Sequence, residues 1–138
     1  MKYLSGIIAG AVSFFAPVGP LLIIAMAFVA VDFLTGVLAD RRKVRRTGAE
    51  WHFESHKAWR TITKLSFVMA GIMLSWMLDS LLLPLVDMRL ANIFAGFVCG
   101  VEFWSYLENA ATITGDDHFS TLADMVRSRL LGWFRAGK

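Results

Sequence analysis
The stretch VDFLTGVLADRRKVRR, residues 31–46, joins two chemistries in one short segment. Its first half closes an apolar run over 20–39, which matches the ~20 residues needed to cross a ~30 Å hydrocarbon core. Its second half carries Arg41, Arg42, Lys43, Arg45 and Arg46, five cations within six positions. Asp32 stands inside the apolar run, eight residues before Asp40. At 1.5 Å per helical residue that is roughly 12 Å of depth, well inside the hydrocarbon. A charge at that depth costs at least ~2.5–3.5 kcal/mol, so Asp32 must face protein or water, be paired, or be protonated.

The whole chain repeats this balance. Of 138 residues, 57% are hydrophobic and 18% charged, against about 25% charged in soluble domains. The mean hydropathy is +0.57. An integral membrane protein follows. Seven of the 14 Lys and Arg lie between Asp40 and Arg60, so the basic pI marks a membrane-flanking segment, and nucleic acid is not the expected partner. The single cysteine, Cys99, excludes an internal disulfide. The N-terminal apolar run has the shape of a signal peptide, but Pro17 directly after Ala16 is a poor cleavage context, so the run is read as retained.

Four apolar segments are expected, about 3–18, 20–39, 62–86 and 90–107, separated by an "APVGP" turn, a basic loop over 40–61 and a turn at 84–89. Proline and glycine in APVGP argue for a chain reversal. The fold class is therefore all-α: three to four transmembrane helices in hairpins over 1–115, followed by a C-terminal amphipathic helix over 116–138. The first segment is short for a span. Three crossings preceded by an amphipathic N-terminus is the rival to four. The basic loop belongs in the cytoplasm, which with four crossings puts both termini there. In the tail, Asp116 or Asp117 can cap a helix whose apolar residues Phe119, Leu122, Val126, Leu130, Trp133 and Phe134 fall near one face. That face suits a membrane surface or a partner.

Polar residues recur within the spans at helical spacing. Thr35 and Gly36 share a face with Asp32. Glu102, Ser105 and Asn109 form a stripe in the last span, with Glu108 beside it. Lys57, Arg60 and Lys64 line one face of the third segment at its cytoplasmic end. A polar cluster in the cytoplasmic half of the bundle follows, with Lys64 or Arg60 meeting Glu102 and Asp32. Such groups either hold helices in register or line a water-filled path. His52 and His56 have the spacing of a helical metal pair, but without a comparable third ligand they read as polar loop residues, and no metal or cofactor is expected. No nucleophile elbow, phosphate loop or other catalytic constellation is present, so no enzymatic role is expected.

Four motifs in order, DFLTGVLA (32–39), SHKAWRTITKL (55–65), Asp79 at the end of the next span, and EFWSYLEN (102–109), resemble the toxin-secretion/phage-lysis holin family, holin family 4. The resemblance covers about 21–115. Asp32, Thr35 and Gly36 match its Asp–Thr–Gly signature. Lys64 matches its basic residue, and Glu102, Ser105, Glu108 and Asn109 match its Glu/Ser/Glu–Asn signature. The resemblance implies a homo-oligomer in the bacterial cytoplasmic membrane, with anionic headgroups around it, forming lesions through which an endolysin or an exported protein passes. A non-lytic ion or proton channel, and a membrane anchor or adaptor docking a soluble partner, are the alternatives the residues leave open.

Overall fold
The computed structural model describes residues 2–48, 50–52, 55–82, 86 and 88–135. It is about 92% helical, and its elements run α1 (Lys2–Phe15), a 3₁₀ turn (Ala16–Val18), α2 (Gly19–Arg46), α3 (Ser55–Met77) continued by a π turn (Leu78–Leu82), α4 (Leu90–Thr114) and α5 (Asp117–Arg135). Three helical stretches are long and apolar enough to cross a membrane: Tyr3–Arg46, Ser55–Leu82 and Leu90–Thr114. The all-α membrane fold with a further C-terminal helix is as expected from the sequence.

The APVGP turn is not a reversal. Pro17 and Pro20 each occupy a first-turn position, where a missing N–H removes no helical hydrogen bond. Gly19 is itself helical, at φ −47° and ψ −48°. The chain therefore passes from α1 into α2 along one helical path, and the first hairpin is not formed. Beyond this turn α1 is largely exposed; Phe14 and Phe15 anchor it edge-on or tilted against Trp76, at centroid distances of 4.7 and 5.8 Å.

At its other end α2 runs past the expected boundary at residue 39, so the basic cluster forms its last two turns instead of a loop. Cations there complement the exposed carbonyls of the helix C-terminus. Thr47 closes the helix by donating its hydroxyl to the Val44 carbonyl at 2.8 Å, and Gly48 follows at φ +72°. The apolar third segment, expected to reach residue 86 with an interruption at Pro84, is helical to Leu82; Pro84 lies outside the described residues.

α2 and α4 run parallel, since Phe28 meets Phe103 and Asp32 meets Asn109. α3 runs antiparallel to α2, pairing Lys57 with Asp40 and Lys64 with Asp32. The core holds Val18, Ala25, Val68, Ile72, Ala95 and Val98, with Trp76 and Phe94 packed on it. Alanines at such contacts let helices approach closely, which matters where apolar lipid offers no hydrophobic drive to association. Gly71 is the tightest point: a Cβ there would fall 2.5 Å from Phe94 Cζ. Gly71→Ala must displace that ring, and overpacking of this kind costs about 1–3 kcal/mol. The expected result is a lower melting temperature in detergent, whereas alanine at Gly96, which meets nothing within 4 Å, leaves melting unchanged.

α5 turns back after Gly115, whose φ of +75° and hydrogen bond to the Ala111 carbonyl close α4. Asp116 caps α5 by accepting the His118 N–H at 2.9 Å. The helix packs along α4: Leu130 lies over Gly100, Arg127 stacks 5.2 Å from the Trp104 ring centroid, and Ala123 is buried. The packed face thus centres on Ala123 and Leu130. Leu122, expected on it, is 46% exposed. The side chains of Trp133 and Phe134 lie outside the described residues. The small Ala123 and Gly100 explain the rotation, because they admit closer helix approach than a leucine face would allow.

Candidate functional site: an ionic cluster between three helices
The interior of the bundle is apolar except where α2, α3 and α4 converge. Glu102, from the middle of α4, is the buried charged residue among the described residues, with its side chain 4% exposed. Lys64, in the third turn of α3, donates to Glu102 Oε2 at 2.7 Å. Its ammonium also lies 3.7 Å from Asp32 Oδ2 of α2. Asn109, two turns beyond Glu102 on the same face of α4, donates its amide to Asp32 Oδ1 at 3.2 Å and to Thr35 Oγ1 at 3.4 Å. Thr35 in turn donates to the Val31 and Asp32 carbonyls at 2.9 and 3.0 Å. Gly36 sits one residue on, where a Cβ would touch Asn109 Nδ2 at 3.6 Å. The glycine leaves room for the α4 amide to reach Asp32.

Helical spacing produces this convergence. Asp32, Thr35 and Gly36 are adjacent on one face of α2, while Glu102 and Asn109 are seven apart on α4, so one α2 face meets two levels of α4. One ammonium serves two carboxylates, and an amide supplies the second partner of Asp32. The formal charge of the three ionic groups is −1. The exposures are unequal: Asp32 is 15% exposed and Glu102 4%, but Lys64 is 43% exposed. The ammonium therefore lies at the rim of the bundle, where its stem can carry it toward the headgroup layer.

The other expected residues separate from this cluster. Arg60 is exposed on α3 and does not join it. Ser105 is half-buried and Glu108 exposed, and among the described residues neither side chain bonds into the cluster. Lys57 instead pairs with Asp40 nearer the end of α2, at 2.5 Å. Arg41, Arg42, Lys43, Arg45 and Arg46 are all exposed, and Arg41 stacks 5.9 Å from the Trp51 ring centroid. No group of three or more His, Cys, Asp or Glu among the described residues is placed to hold a metal ion.

One anchoring residue carried no assigned role in the sequence. Asp79, in the π turn after α3, accepts the Leu90 and Ala91 N–H groups at 3.0 and 2.9 Å. It thereby caps α4 from the neighbouring helix. Its signal was present: an acid near the apex of an apolar hairpin is the natural acceptor for the next helix's unpaired donors.

A polytopic α-helical membrane protein whose spans share one buried ion pair and one buried amide is the class these features define. Within it, the sequence profile of the bacteriophage holin family matches residues 9–126, and the chain belongs to that family. No curated protein and no solved structure matches it.

Proposed function
We propose that the protein is a holin proper: it oligomerises in the bacterial cytoplasmic membrane and opens lesions that release an endolysin or an exported protein. The observation that carries this reading is the half-exposed Lys64 ammonium beside the buried Glu102, in a bundle of only three spans. Uncovered charge facing acyl chains is costly, and a neighbouring subunit or a water-filled lumen relieves it. The lipid-ready surface supports the same reading, with Phe67, Leu74, Ile23 and Ile93 all exposed.

The arginine-bearing end of α2 then faces the cytoplasm by the positive-inside rule. With three crossings α5 is also cytoplasmic, and α1, whose 14 residues are too few to span a ~30 Å core, lies at the outer surface. The termini are thus on opposite sides, where four crossings would have put both inside.

The test is graded expression in a bacterium carrying a cytoplasmic endolysin, with membrane potential and endolysin release followed together. Abrupt depolarisation and release above a threshold level are expected, with oligomers larger than dimers recovered by cross-linking. A membrane that stays tight at every level overturns the proposal, and a small steady conductance without release favours a non-lytic channel.

A further inference from the structure
The last two turns of α2 arrange their arginines in two pairs. Arg41 and Arg45 are four residues apart, as are Arg42 and Arg46, so each pair stacks along the helix and the two pairs lie about 100° apart around it. Leu38 stands one turn nearer the membrane centre on the same face, and Ile113 of α4 forms the facing wall of an open groove of about 560 Å³. Arg46 reaches to 3.9 Å from the Cβ position of Gly115, beyond Ile113 on α4, and Arg41 is held against Trp51. The nearest acid in α2, Asp40, is engaged by Lys57, and among the described residues no acid forms an ion pair with any of the four arginines. The groove is therefore cationic at its headgroup end and apolar at its acyl end.

We propose that this groove binds an anionic phospholipid carrying two phosphodiester groups, each phosphate gripped by one arginine pair and the chains running inward past Leu38 and Ile113. Guanidinium forks match phosphate oxygens bidentately, which a diffuse layer of lysines would not do. Basic pockets between transmembrane helices on the cytoplasmic side are suited to such headgroups. The proposal rests on the reading that this end of α2 is cytoplasmic and bilayer-embedded. Occupied, the site ties the end of α2 to α4 just above the Asp32–Asn109 contact.

The experiment uses the full-length protein in neutral detergent, titrated separately with diphosphatidylglycerol, phosphatidylglycerol and phosphatidylethanolamine and followed by native mass spectrometry. One diphosphatidylglycerol per chain is expected, retained more tightly than phosphatidylglycerol, with phosphatidylethanolamine lost. Arg42→Gln/Arg45→Gln, which breaks both pairs, is expected to bind about 30-fold more weakly, from ~1 kcal/mol per arginine. Lys43→Gln/Arg129→Gln removes the same charge elsewhere and is expected to bind as the wild type does. Matching helix content and melting without lipid keep the comparison on binding. Equal weakening by both double variants overturns the site in favour of general charge attraction. Equal retention of phosphatidylglycerol overturns the two-phosphate assignment, and displacement by free pyrophosphate overturns the lipid assignment; that competition is read on the wild type and needs no variant to fold. A protein that keeps this lipid but never permeabilises a membrane sinks the holin reading and leaves the site standing.

Discussion
Replacing Lys64 by methionine is expected to lower the stability of the detergent-solubilised protein by about 3 kcal/mol. Breaking a buried ion pair by removing one partner costs ~3–5 kcal/mol, and the lower end applies because Lys64 is 43% exposed. The cost arises on the other side of the pair. Glu102, 4% exposed, loses its 2.7 Å donor, and Asp32 keeps only the Asn109 amide against a neighbouring unpaired carboxylate. The double variant Lys64→Met/Glu102→Met removes both charges and is expected to recover most of the loss, since apolar replacement of a buried pair is often neutral or better. Thermal melting of the four proteins of this cycle measures the coupling directly. If Lys64→Met melts with the wild type, the ion pair does not hold the helices together. Under the proposed role, the single variant also brings lysis forward, because it weakens the closed packing that opening must disrupt.

The cluster was legible because ionic residues inside apolar runs have few places to go. Asp32, Lys64 and Glu102 each fall in a span, so proximity among them follows from the cost of leaving any one in lipid. Helical spacing then brought Thr35, Gly36 and Asn109 onto the same faces. Spacing alone could not separate Lys64 from Arg60, which depends on the rotation of α3 about its axis, nor exclude Ser105 and Glu108, which flank the stripe without reaching α2. The APVGP turn misled for a different reason. Proline forbids a helix interior but suits a first turn, and the sequence alone does not say which of these Pro17 and Pro20 occupy. The docking of α5 was hidden because amphipathicity reports that a face is apolar, not what covers it; the decisive feature was a small residue, Ala123, opposite another helix.

Asp79→Ala is expected to cost about 2–3 kcal/mol, and its effect should concentrate at one end of α4. Leu90 and Ala91 open that helix, and their N–H groups have no intrahelical acceptors. Arg89 before them is left-handed, at φ +49°, and gives no side-chain cap. Both donors therefore depend on the two oxygens of Asp79, eleven and twelve residues back in the chain. A charged acceptor at a helix N-terminus adds to the dipole as well as to the hydrogen bonds, and each bond to a charged group contributes ~1.5–3 kcal/mol before water at the membrane surface offsets part of the loss. Because the carboxylate belongs to the π turn after α3, it also fixes where α4 begins relative to α3, and hence the level at which Glu102 meets Lys64. Amide exchange separates this from a general loss of stability: the first turn of α4 is expected to exchange much faster in Asp79→Ala, with Asp79→Asn intermediate because one oxygen remains to accept one N–H. Unchanged protection at Leu90 and Ala91 would show that the hairpin is closed by something other than this carboxylate.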